Sequence, residues 1–134
     1  MLSWILIWAI AAVIMLAIDM VWLMGIGRGF YVQEIGDILL EKPNLLAALA
    51  FYILYSIGVM VIVIAPAIEA ESAMRALIYG VLFGLVAYGT YDLTNLAVMK
   101  GFTTKIALID MVWGGLITGF VSAVTVKLTG MLGL

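Results

Sequence analysis

The 134-residue chain contains no cysteine and no histidine. Those two absences exclude disulfides, thiol nucleophiles, Ser-His-Asp triads, iron–sulfur clusters, Cys/His zinc sites and histidine-ligated haem. No cofactor is therefore expected, and no metal site is assigned. Charge is also scarce, at 10% of residues, with six basic and eight acidic side chains and no basic run. A net charge of −2 gives no purchase on nucleic acid. Proline occurs only twice. Any chemistry must use carboxylates, amides, hydroxyls, lysine, arginine or tyrosine.

What remains is mostly hydrocarbon. Hydrophobic residues make up 67% of the chain and the mean hydropathy is +1.31. Soluble domains are about half apolar and about a quarter charged, so lipid must be the solvent for most of this surface. Four apolar runs, at about 2–25, 44–65, 73–99 and 104–127, each supply the ~20 residues that a membrane-crossing helix needs. The expected fold is all-α: one polytopic four-helix membrane bundle. The first run lacks a basic leader and a small-x-small cleavage site, so it reads as a span rather than a signal peptide.

The connections are short. In segment 28–42, Tyr31, Val32, Ile35, Ile38 and Leu39 recur at helical spacing opposite Glu34, Asp37 and Glu41, predicting an amphipathic helix on the membrane surface. Pro66 is expected to end the second span. Arg28, Lys42, Lys100 and Lys105 fall at one end of the bundle, and Arg75 and Lys127 at the other. The positive-inside rule then puts loops 28–42 and 100–105 in the cytoplasm and both termini outside.

One pentapeptide occurs twice. Ile18-Asp19-Met20-Val21-Trp22 returns as Ile109-Asp110-Met111-Val112-Trp113. At 1.5 Å per residue, Asp19 lies ~13 Å before Arg28 and Asp110 ~8 Å after Lys105. Asp92, in Tyr88-Gly89-Thr90-Tyr91-Asp92-Leu93-Thr94-Asn95, precedes Lys100 by ~12 Å. Three aspartates on three helices thus fall in one layer. The two pentapeptides read as convergent on that layer rather than as copies.

An ionised carboxylate in hydrocarbon costs at least ~2.5–3.5 kcal/mol, so the bundle must provide partners, water, a cation or protonation. Candidate binding residues are Asp19, Asp92 and Asp110 with Asn95, Tyr88, Tyr91, Trp22, Trp113 and Thr118. Asn95 is expected to orient Asp92, with Lys105 or Arg28 snorkelling inward as counter-charge. Thr118, Ser122, Thr125 and Thr129 are expected mainly to bond back to their own helix. Trp4, Trp8 and Trp22 sit where interfacial anchors do, whereas Trp113 lies ~14 Å inside its helix. Gly80-x3-Gly84 and Gly115-x3-Gly119 are packing signals, within the chain or in a homodimer.

Several of these motifs together resemble a known family. Asp19-x2-Trp22, Phe30-Tyr31, Phe51-Tyr52-x2-Tyr55, Pro66-Ala67, the run Phe83 to Asn95 and Asp110-x2-Trp113-Gly114 are similar to small bacterial predicted membrane proteins of unknown function. The resemblance implies a four-helix protein of the bacterial inner membrane and no activity.

On the residues, binding or translocation of a small solute, cation or proton through the acidic layer ranks first. An accessory or assembly subunit, whose polar cluster fixes helix register for a partner membrane protein, ranks second. A cation-dependent enzyme acting on a lipid ranks third, because carboxylates and an amide are hard ligands but no compact metal motif is present.

Overall fold

The computed structural model describes all 134 residues, and its regular structure is all helical, with no strand. Six α-helices follow in chain order: α1 Leu2–Val21, α2 Arg28–Ile35, α3 Leu45–Val59, α4 Ala65–Glu69, α5 Ala73–Val98 and α6 Thr104–Leu132. A π turn, Trp22–Ile26, lengthens α1, and a second, Met60–Ile64, joins α3 to α4. The result is four helices of 25, 25, 26 and 29 residues, Leu2–Ile26, Leu45–Glu69, Ala73–Val98 and Thr104–Leu132. Each is long and apolar enough to cross a ~30 Å hydrocarbon core.

The helix starts follow from their caps. The side chains of Asn44, Ser72 and Thr103 accept hydrogen bonds from the Ala47, Arg75 and Ile106 amides at 3.1, 3.0 and 3.2 Å. Each satisfies one of the amides that a helix N-terminus leaves free. The fourth helix ends at Gly133, whose φ of +68° is left-handed.

Two boundaries differ from expectation. The second span does not stop at Pro66 but runs on to Glu69. The π turn just before the proline makes this tolerable: the Ala65 amide bonds back five residues, to the Met60 carbonyl. That wider turn makes room for a ring that would clash in a regular helix and lacks an N–H. The surface segment is also shorter than predicted, with α2 ending at Ile35 and a 3-10 turn at Gly36–Ile38. The segment packs against the start of α6 through one buried side chain. Ile35 is buried against Phe102, Ile106 and Ala107, while Val32, Ile38 and Leu39 stay exposed. Glu34 anchors the segment, accepting from the Thr103 hydroxyl at 2.9 Å and pairing with Lys105 at 3.5 Å.

Glycine sets the packing of α5 on α6. A methyl placed on Gly80 would stand 2.8 Å from the Gly119 Cα, and one on Gly84 would overlap the Gly114 carbonyl. Tyr88 lies against Gly114, and Val81 against Gly119, so the missing side chains on α6 are filled from α5. Small residues at such crossings let backbones touch, which is how helices associate where lipid removes the hydrophobic drive. These glycine faces are occupied within the protomer.

The core lies along α1, the second span and α6. Ile7, Ala11 and Met15 stand on one face of α1 at i+4 spacing, with Val59, Val63, Ile64, Ile117 and Val121 in the same cluster. The outward residues, among them Val13, Leu54, Val86 and Phe120, are large, apolar and exposed, as a lipid-facing surface requires.

Candidate functional site

The repeated pentapeptide is wired crosswise. The Trp113 indole N–H donates to Asp19 Oδ1 at 2.9 Å. Trp22 reaches the other acid through an intermediary: its N–H donates to the Tyr31 hydroxyl at 3.1 Å, which donates to Asp110 Oδ1 at 2.5 Å. The two indoles stack, with centroids 4.4 Å apart and planes at 12°. Each tryptophan thus serves the aspartate of the other copy.

Antiparallel geometry explains why. Asp19 opposite Trp113 and Trp22 opposite Asp110 have the same sum of residue numbers, as one register between two antiparallel helices demands. An Asp-x2-Trp motif on each helix then pairs with itself about a local two-fold axis.

Asp19 is fully provided for. Its second oxygen accepts from the Tyr52 hydroxyl, so two oxygens meet two donors. Asp110 accepts from Tyr31. Burial, and then the hydrogen bond to Asp110, push the Tyr31 phenol well above the ordinary tyrosine value. Tyr31 therefore remains a neutral donor. The Trp22 ring lies across Gly27, at 2.6 Å from where a methyl would stand, and the Gly27 amide closes the π turn onto the Trp22 carbonyl at 2.7 Å.

Asp92 differs. It is 0% exposed, and no donor reaches either of its oxygens. Its carboxyl instead meets that of Asp110 across the α5–α6 contact. Asn95 does not orient it, since neither carboxyl oxygen has a partner. Asn95 stands one helical turn on, half-buried and adjacent to Tyr91. Nor does a counter-charge arrive. Lys105 is held by Glu34 and lies over the Phe30 ring at 5.5 Å, while Arg28 is exposed.

Among the other candidates, Tyr88 packs edge-on to Tyr55 at 6.1 Å and is flanked by Asp19 and Asp110. Tyr91 is exposed and packs edge-on to Phe102 at 5.9 Å. Thr118 shares a 2.8 Å hydrogen bond with Tyr55 instead of bonding to its own helix. Of the hydroxyls further along α6, Thr129 bonds back to the Thr125 carbonyl, but Ser122 and Thr125 have no partner. Of the tryptophans expected near the helix ends, Trp22 is in the stack and Trp8 donates to Ser56 at 2.9 Å, so both rings are engaged within the bundle.

The three aspartates are neighbours without forming one cage. Asp110 acts electrostatically on both Asp19 and Asp92, yet no three acidic side chains converge as a metal-binding group. Sequence reasoning missed Tyr31, Tyr52 and Gly27 as parts of the site. Tyr52 stands in the Phe51-Tyr52-x2-Tyr55 motif, one turn before Ser56. Tyr31 was hidden by its place in an apparently amphipathic surface segment.

A cleft of about 460 Å³ opens beside Asp110, lined by Ala48, Phe51, Ala87, Tyr88 and Tyr91.

No curated protein and no solved structure matches the chain. Residues 4–127 match a family model, whose extent reaches all four long helices and takes in both pentapeptides and Asp92. The chain belongs to the family described as predicted membrane protein (DUF2177).

Proposed function

We propose that the Asp92–Asp110 pair is a binding site for a proton in exchange with a small cation, and that the protein binds or translocates that cation across the membrane. The observation that carries this is Asp92, wholly buried with both oxygens undonated and facing a second carboxyl. Two bare carboxylates side by side in a low-dielectric interior repel by several kcal/mol and are each costly to bury. A proton held between them, or a monocation in its place, removes the repulsion and halves the buried charge. The absence of Lys or Arg contact leaves that position to a mobile charge.

The four-to-two bias of basic residues supports a cytoplasmic location for the loops 28–42 and 100–105 at the acidic end. In a bacterial inner membrane the pair would then lie nearer the cytoplasm.

The experiment is proton uptake by the purified protein in weakly buffered detergent, wild type against Asp92→Asn. Wild type is expected to exchange about one proton per chain in a step that the variant lacks, with its oligomeric state unchanged. Identical titrations of folded wild type and variant would overturn the reading.

A second reading, an accessory subunit with a structural polar cluster, is favoured by Asp19, whose oxygens are both satisfied. It predicts that Asp19→Asn weakens the fold or an association while proton exchange at Asp92 persists.

A further inference from the structure

The cleft beside Asp110 has the chemistry to select a ligand. Its walls come from two helices: Ala48 and Phe51 on the second span, and Ala87, Tyr88 and Tyr91 on α5. Asp110, on α6, is the one charged group lining it. Three of the five wall residues are aromatic, and aromatic faces attract cations through the ring quadrupole. The alanines keep the space between the rings open.

The mouth faces lipid. Phe51 and Tyr91 are 47% and 55% exposed, each within a helix long and apolar enough to cross a membrane. Phe51 is six residues from the start of α3, Tyr91 seven from the end of α5, and Asp110 six from the start of α6. At 1.5 Å per residue, all three lie ~9–10.5 Å inside the helix ends. Access is therefore lateral, from the hydrocarbon. A strongly hydrated ion would have to shed its water in the acyl region to arrive that way; a lipophilic ion would not. The volume, about 460 Å³, is in the range of sites for drug-sized molecules and far larger than a bare metal ion needs.

We propose that this cleft binds a lipophilic monocation that enters from the bilayer, with its charge at Asp110 and its apolar groups against Phe51, Tyr88 and Tyr91. The inference rests on the proton-exchange reading for its mechanism, since Asp92 is the acid that shares Asp110's site. The titratable groups around Asp110 are Tyr31 from α2, Asp19 from α1, and Tyr88, Tyr91 and Asp92 from α5. None is cationic, so an arriving positive charge meets no fixed competitor. The balance is one for one: the cation binds, the proton of the Asp92–Asp110 pair leaves to water, and the charge of the site is unchanged.

The test is binding of tetraphenylphosphonium to the full chain in mild detergent, with proton release recorded in the same titration. Triphenylphosphine oxide serves as the neutral comparison. Wild type is expected to bind the phosphonium saturably, to prefer it to the neutral compound, and to release about one proton per cation. Asp110→Asn should abolish binding. Because that variant loses a hydrogen-bonded acid, Phe51→Ala and Tyr91→Ala, both at the lipid-facing mouth, provide the independent arm. Each should weaken binding roughly two- to thirtyfold, the range of one cation–π contact.

Equal binding of the neutral compound, or unchanged affinity in both mouth variants, would overturn the inference. So would an Asp92-dependent proton exchange with sodium or potassium ions and no phosphonium binding, an outcome that leaves the proton-exchange reading standing. Saturable phosphonium binding that releases no proton and ignores Asp92→Asn would do the reverse. It would sink the exchange reading and keep the cleft as a cation site.

Discussion

Asp19 and Asp92 are the same residue type at neighbouring positions in the fold, and their surroundings give them opposite roles. Asp19 holds donors from Tyr52 and Trp113, whereas Asp92 holds none. Tyr52→Phe and Trp113→Phe should therefore each cost about 1–3 kcal/mol, the penalty of leaving a buried acceptor without its donor. Unfolding of the detergent-solubilised protein by a denaturing detergent would measure it, and a loss under 0.5 kcal/mol would show Asp19 to be otherwise satisfied. Thr125 predicts the other sign. Its hydroxyl is buried without a partner, so Thr125→Val should be neutral or stabilise by up to about 1–3 kcal/mol. Tyr31 makes a pH prediction. The folded phenol holds its proton more tightly than the unfolded one, so its contribution to stability is complete below pH ~10 and declines as pH rises further. Alkaline absorbance titration of Tyr31→Phe should lack one late-ionising phenol that the wild type has.

At the scale of elements, the spans were legible in the sequence because length and apolarity alone define a membrane helix. What could not be read was continuity through Pro66, since a π turn depends on the register of backbone carbonyls and leaves no composition signal. The acidic layer was legible too, by counting residues from the helix ends. The partners of each acid were not, because they depend on which helices meet and at what rotation. Asn95 and Lys105 were plausible from one-dimensional proximity, yet Asn95 makes no bond to Asp92 and Lys105 is claimed by Glu34. The α5–α6 contact carries its own prediction. Gly84→Ala must push against the Gly114 backbone, which cannot rotate away, whereas Gly130→Ala meets nothing within 4 Å. The first should destabilise by roughly 1–3 kcal/mol or more, as overpacking does, and the second should be silent in the same unfolding assay.

For the molecule as a whole, the lack of cysteine becomes an experimental convenience. Any thiol introduced by substitution is the chain's only one. Ser72→Cys and Lys100→Cys lie in loops at opposite ends of the bundle. With the acidic end inward, a membrane-impermeant thiol reagent added to intact cells should label the first and spare the second. The opposite pattern would invert the orientation.

The crossed tryptophans also have a mechanical consequence. Sliding the first helix along the fourth by a single residue, 1.5 Å, would draw Trp113 from Asp19 and disrupt the Trp22–Tyr31–Asp110 relay in one movement, while unstacking the two rings. A pair of rods braced in this way resists shear in either direction. The glycine contact fixes α5 against the same fourth helix. Those three members form a rigid frame. The second span is tied to that frame by Trp8–Ser56, Tyr52–Asp19 and Tyr55–Thr118, and it is the one strut that carries both a π turn and a proline.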